Sequence, residues 1–182
     1  MAINRKQFLK TACLGSACLC GFSAIAGSAL SENKNPEEDS KTPLFQSWIA
    51  LLLTNIDSSL GEEEIRKIIK SSALAHYNDL KMDSILVDYK NKPEAFINWV
   101  ETSWGWKVDY NNENRTIIAD ENKNYCVCPM INHKAGKYPA LCYCSEGFAE
   151  KMFSTVIGQP VSATVISSVQ RGDKSCKYKI KF

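Results

Sequence analysis

Histidine is nearly missing from this chain. His76 and His133 are the only two among 182 residues. A site built from several imidazoles is thereby excluded. Cysteine is missing from residues 21 to 125, so thiol chemistry is confined to the two ends. An excess of basic charge is missing too. Lys and Arg number 22 against 20 Asp and Glu, and three of the 22 are Arg5, Lys6 and Lys10. Beyond those three, the acidic residues are in excess by one. Nucleic-acid binding needs a clustered basic face, and none is present. No internal repeat occurs, which excludes a solenoid.

The first thirty residues have their own composition. Met1 to Lys10 is basic, and Thr11 to Ser31 carries no charge and is rich in Ala, Gly, Ser and Leu. A basic start, an apolar middle and small residues around Ala24-Ile25-Ala26 make an export signal. Arg5-Lys6-Gln7-Phe8-Leu9-Lys10 is twin-arginine-like, with lysine in the second basic place. Residues 1–31 are therefore read as the signal, and the mature protein as periplasmic or cell-surface. Gly15-Ser16-Ala17-Cys18 is a degraded lipobox. Contact with the membrane is expected only through the signal, a lipid on Cys18, or an uncleaved anchor. Residues 32–43 are polar, with two prolines and Glu37-Glu38-Asp39, and read as a flexible tether.

Residues 44–182 suit one domain with a single core. Leu44, Phe45, Trp48, Ile49, Leu51, Leu52 and Ile56 recur at three- and four-residue steps, which predicts a helix with one buried face. Ser59-Leu60-Gly61-Glu62 has capping-box spacing and opens a second helix through Ile65, Ile68 and Ile69. A third follows Pro93. At Gly105 the period drops to two: Trp106, Val108 and Tyr110 alternate with polar residues, Asn111 to Asn114 turns, and Thr116 to Ala119 returns. A third strand is predicted over Tyr125–Met130, with Cys126 and Cys128 on one face. Ser145-Glu146 would cap a helix through Phe148, Met152, Phe153 and Val156, closed by Gly158 and Pro160. A hairpin follows, turning at Arg171-Gly172-Asp173-Lys174, with Cys176 on the inward phase of Cys176–Phe182. The fold class is α+β: helices on an antiparallel sheet.

What the last third does contain is thiol. Cys126, Cys128, Cys142, Cys144 and Cys176 form two C-x-C pairs and a single residue. Three readings stand open. Two pairs could supply soft ligands to zinc or a similar metal, with His133 as a substitute ligand. Export meets an oxidising compartment, where Cys126–Cys142 and Cys128–Cys144 bridges would leave one thiol free. Cys144, at a helix start, has the setting of a low-pKa nucleophile. His76, near a helix end, reads as structural.

The segments Leu141–Phe148, Gly158–Val161 and Gln170–Tyr178 resemble the C-terminal half of the 4-vinyl reductase, or hydrocarbon-binding, domain. Their Gly172-Asp173…Cys176…Tyr178 ending is also similar to that of the aminothiazoline-carboxylate hydrolases. The resemblance covers about sixty residues. It implies helices on an antiparallel sheet, a small-molecule pocket between them, and cysteines near that pocket, with Cys128, Cys142, Cys144 and Cys176 as metal candidates. Relatives often carry a front-helix cysteine, where this chain has Ser71 to His76. The expectation is an exported domain that binds a small, partly apolar ligand, with Trp104, Trp106, Phe148 and Met152 as wall residues and zinc or another soft metal on the cysteines. A thiol-dependent hydrolase of a cyclic amide-like substrate, using Cys144, and a disulfide-stapled interaction module are the alternatives.

Overall fold

A computed structural model describes residues 36–131 and 137–182. Asn35–Phe182 form one compact unit. The export signal, Cys13, Cys18, Cys20 and His133 lie outside the described residues. Five helices occur among them: α1 (Pro36–Ser59), α2 (Glu62–Asp79), α3 (Met82–Leu86), α4 (Pro93–Trp104) and α5 (Cys142–Ile157). Four strands, β1 (Lys107–Asn111), β2 (Thr116–Asp120), β3 (Ser162–Ser167) and β4 (Lys177–Lys181), form one antiparallel sheet in the order β1-β2-β4-β3. The α+β reading holds. None of these helices is long and apolar enough to cross a membrane.

The expected tether is helical from Pro36 onward, with Pro43 inside α1. The physical reason lies in the same residues that suggested a linker. Proline is favoured at a first helical position, and the acidic run then falls in the first turn, where the helix dipole favours it. The expected buried face of α1 is divided as well. Leu53 is buried and Ile49 and Ile56 pack on the core, but Leu44, Phe45, Trp48 and Leu51 are exposed. In α2 the start shifts to Gly61, whose amide donates to Glu64 Oε2 at 3.3 Å. Ile65 and Ile69 are buried there, and Ile68 is exposed.

The strand reading of Lys107–Asp120 survives in detail: Val108 pairs with Ala119 and Tyr110 with Ile117. In β2 and β4, Ile117, Ala119, Tyr178 and Ile180 turn inward and the intervening residues face outward. β3 and β4 are antiparallel neighbours, but their connection is more than a tight turn. A 3₁₀ turn at Val169–Arg171 is capped by Ser168, and Gly172 takes φ +95°, a conformation that suits glycine.

Two carboxylates hold the helical layer to the sheet edge. Glu146, fully buried on α5, takes two hydrogen bonds of 2.8 Å from the Arg66 guanidinium of α2 and one of 2.9 Å from the Val165 amide. One turn on, Glu150 takes 2.6 Å from Lys70 and 2.9 Å from the Ala163 amide. The spacing of four on both helices matches the spacing of two on the strand. These bonds occupy edge-strand amides that would otherwise be open. Ser145-Glu146 therefore sits inside a helix, not at its cap. Gly147 lies where α2 and α5 touch: a Cβ there would stand 2.2 Å from the Lys70 carbonyl oxygen.

Arg66→Ala strands a carboxylate with no exposure and is expected to cost about 3–5 kcal/mol. Lys70→Ala breaks a pair whose partners are each 26% exposed, and should cost about 1 kcal/mol or less. Urea midpoints of the two variants measure the difference, and equal losses would disprove it.

Candidate functional site

The site is built where α4 ends and the sheet begins. Trp104 closes α4, and Gly105 turns the chain at φ +71°. The reversal brings Trp106 back beside Trp104, with ring centroids 5.3 Å apart. Asn122 Nδ2 donates to the Gly105 carbonyl at 3.2 Å and holds the turn. Trp104 lies 6.5 Å from Phe148 of α5, and Trp106 lies 6.1 Å from Tyr178 of β4. Together with Leu80 and Ala149 these rings wall a largely apolar cavity of about 270 Å³. Met152, the fourth expected wall residue, is instead fully buried in the core.

A smaller cavity of about 60 Å³ adjoins the first and shares His76, Glu121, Val127, Ser145 and Tyr178 with it. All five cysteines of the last third line it. They arrive from three directions. Cys126 and Cys128 lie on an irregular segment, since the expected strand over Tyr125–Met130 does not form. Gln46 Nε2 of α1 steadies that segment by donating to the Pro129 carbonyl at 3.1 Å. Cys142 and Cys144 occupy the first turn of α5 itself, which starts at Cys142. Cys176 precedes β4.

All five thiols are free. The Cys142 thiol donates to Ser168 Oγ at 3.2 Å. Burial pushes the Cys128 and Cys176 thiols up to about 12 and raises Cys142 and Cys144 as well. The low-pKa setting expected for Cys144 is therefore not produced. Its place in the first turn of a helix is outweighed by loss of water, and the neighbouring Cys142 adds to the rise. The donor set is soft, as zinc would prefer. Yet among the described residues no three Cys, His, Asp or Glu side chains converge to hold one ion.

The residues shared by the two cavities include one that the sequence reading did not single out. Glu121 is 7% exposed. Its Oε1 accepts the Tyr178 hydroxyl, its carboxyl is bonded by the Cys176 thiol, and its amide donates to the Cys176 carbonyl at 2.9 Å. Burial raises its pKa, and Asp120 nearby adds to the rise. Tyr178 is raised well above its ordinary value, again chiefly by burial. His76 is lowered by burial, so its ring is held neutral, and it lies 5.0 Å from the Phe148 ring. A signal for Glu121 was present in the chain. It continues the inward phase of Ile117 and Ala119, where a carboxylate is out of place.

Two outcomes follow. For Glu121, a folded pKa above the unfolded one gives a contribution that is complete below the ordinary carboxylate value and lost as pH rises through the folded value. Glu121→Gln keeps an acceptor for Tyr178 and removes the charge. Its stability relative to the wild type should therefore grow from pH 4 to pH 8 in thermal melts, and a gap that stays constant with pH refutes the burial argument. For the thiols, iodoacetamide labelling under native conditions should be slow at Cys128, Cys142, Cys144 and Cys176 and still rising at pH 10. Fast labelling of Cys144 at pH 7, read by peptide mass, would restore the nucleophile.

No curated protein matches this chain. Among solved structures, trafficking protein particle complex subunit 3 from Naegleria fowleri, covalently bound to palmitic acid, is similar with a TM-score of 0.52. Identity is 10%, over 79% of this chain and 95% of that one. The phenol-responsive sensory domain of the transcription activator PoxR, with phenol, has a TM-score of 0.43 and 13% identity, over 76% of this chain and 75% of that one. The first likeness is one of fold. Residues 26–182 match a family of unknown function, DUF6144, and the chain belongs to that family.

Proposed function

We propose that the protein binds a compact, mostly apolar small molecule carrying one hydrogen-bonding group. The observation that carries this reading is the aromatic cavity of about 270 Å³ with a buried acid, Glu121, in its wall. Ligand sites are concave, mostly apolar and supplied with a few placed polar groups. This cavity has that composition: Trp104, Trp106 and Phe148 for the body of the ligand, and Glu121, Tyr178 and neutral His76 for its polar end. The volume corresponds to about nine waters at ~30 Å³ each, which suits one or two rings or a medium-length chain. Lys123 also lines this cavity and would favour a ligand whose polar end is an acid or a hydroxyl.

One further observation supports the reading. The subunit that shares this fold is covalently bound to palmitic acid, so the architecture accommodates an apolar ligand in at least one other protein. The hydrocarbon-binding resemblance proposed from the sequence of Leu141–Phe148, Gly158–Val161 and Gln170–Tyr178 belongs to the same class. The export reading of residues 1–31 would place the ligand outside the cytoplasm.

Titration with 1-naphthol and with decanoic acid tests the proposal through tryptophan fluorescence, because two indoles stand in the wall. A saturable change with at least one probe is expected, weakened about 10-fold or more by Trp106→Ala, since an aromatic wall contact is worth roughly 1.5 kcal/mol or more. Absence of a saturable signal from both probes, or a Trp106→Ala variant that binds as well as the wild type, would defeat it.

A further inference from the structure

Helix α1 has two apolar faces, and only one is used by the fold. Ile49, Leu53 and Ile56 turn to the core. Leu44, Phe45, Trp48, Leu51 and Leu52 make the second, with exposures of 68, 59, 61, 62 and 39%. At about 100° per residue these five fall within an arc of roughly 120°, a continuous stripe. No charged residue occurs from Thr42 to Ile56. Evolution of a soluble surface does not call for such a stripe, and its exposed area sets it apart. Five large apolar side chains at these exposures present roughly 600 Å², at the top of the range for the largest apolar patch of a monomer. Two such patches joined would remove about 1,200 Å² from water, the lower bound of a specific interface.

The chemistry of the flanks selects the occupant. A helix that lies on a lipid surface carries Lys and Arg along its polar face. Here the sequence ahead of the stripe is Pro36-Glu37-Glu38-Asp39, and Lys41 is the one base between there and Asp57. An antiparallel pairing of two such helices about a two-fold axis at Trp48 sets Leu44 against Leu52 and Phe45 against Leu51. Self-complementarity of this kind is what an isologous contact requires.

We propose that α1 is the interface of a homodimer, two copies packing antiparallel through Leu44, Phe45, Trp48, Leu51 and Leu52. Trp48 stands at its centre, where aromatic side chains carry most of the binding energy of an interface. Because Trp48 is solvent-exposed in the folded chain, its replacement leaves the core untouched, and the ligand cavity lies on other elements.

Sedimentation equilibrium of the detergent-free protein at about 10 to 100 μM tests this. The expected result is twice the chain mass for the wild type. Trp48→Glu should give a monomer, with association weakened at least ~30-fold, the loss typical of an interface hot spot, and with unchanged circular dichroism. A wild-type monomer at 100 μM overturns the proposal, as does a dimer that Trp48→Glu leaves intact. A monomer that co-sediments with phosphatidylcholine vesicles only when Trp48 is present assigns the stripe to lipid and overturns it equally.

Discussion

The Glu146 carboxylate is the point on which this architecture turns. It is fully buried, and its three hydrogen bonds come from two separate elements, the Arg66 side chain of α2 and the Val165 amide of β3. A carboxylate in such a place is tolerable only if every lone pair facing it is answered. That demand fixes the helices against the sheet edge at one spacing, and Glu150 repeats it one turn further on. The next residue after Glu146 is Gly147, where the α2 backbone comes too close for any side chain. Buried ion pairs often contribute little net stability compared with apolar packing. What this one supplies is register: α5 cannot slide or rotate without stranding a charge.

Register of α5 matters because α5 carries both halves of the site. Cys142 and Cys144 in its first turn face the small cavity, Phe148 and Ala149 face the larger one, and Ser145 touches both. The turn at Gly105 then brings Trp104 and Trp106 to the opposite wall. The outcome is a graded space, aromatic at one end and thiol-lined at the other, with Glu121, Tyr178 and His76 between. Burial keeps four of the five thiols protonated at neutral pH and His76 neutral. These uncharged thiols and the neutral His76 receive an apolar guest without stranding their own charge against it, while Lys123 lines the aromatic end. The same burial works against nucleophilic chemistry at Cys144, which depends on thiolate.

How much of this was readable beforehand depended on whether a feature is local. The strand pair Lys107–Asp120, helix α4 after Pro93 and the inward phase of Cys176, Tyr178 and Ile180 were all legible, because period and punctuation are properties of neighbouring residues. The apolar positions of α1 were legible as helix but not as surface. Seven such residues announce amphipathicity, while which of them meet the core depends on what packs against them. The strand expected over Tyr125–Met130 failed for a related reason. Alternation is present there, but both sides of β2 in the sheet are already taken by β1 and β4, so the segment cannot pair beside the strand it follows.

By itself, then, the chain determined the α+β class, the order of most elements and the concentration of thiol in its last third. These follow from residue type and spacing. Only the tertiary structure decided that five cysteines from three directions line one cavity, that this cavity opens beside an aromatic one, and that Glu121 stands between them. Only it decided the acid–base state of the thiols, since a helix start favours thiolate and burial opposes it. The dehydration that wins is contributed by residues distant in sequence, and no spacing rule can sum them.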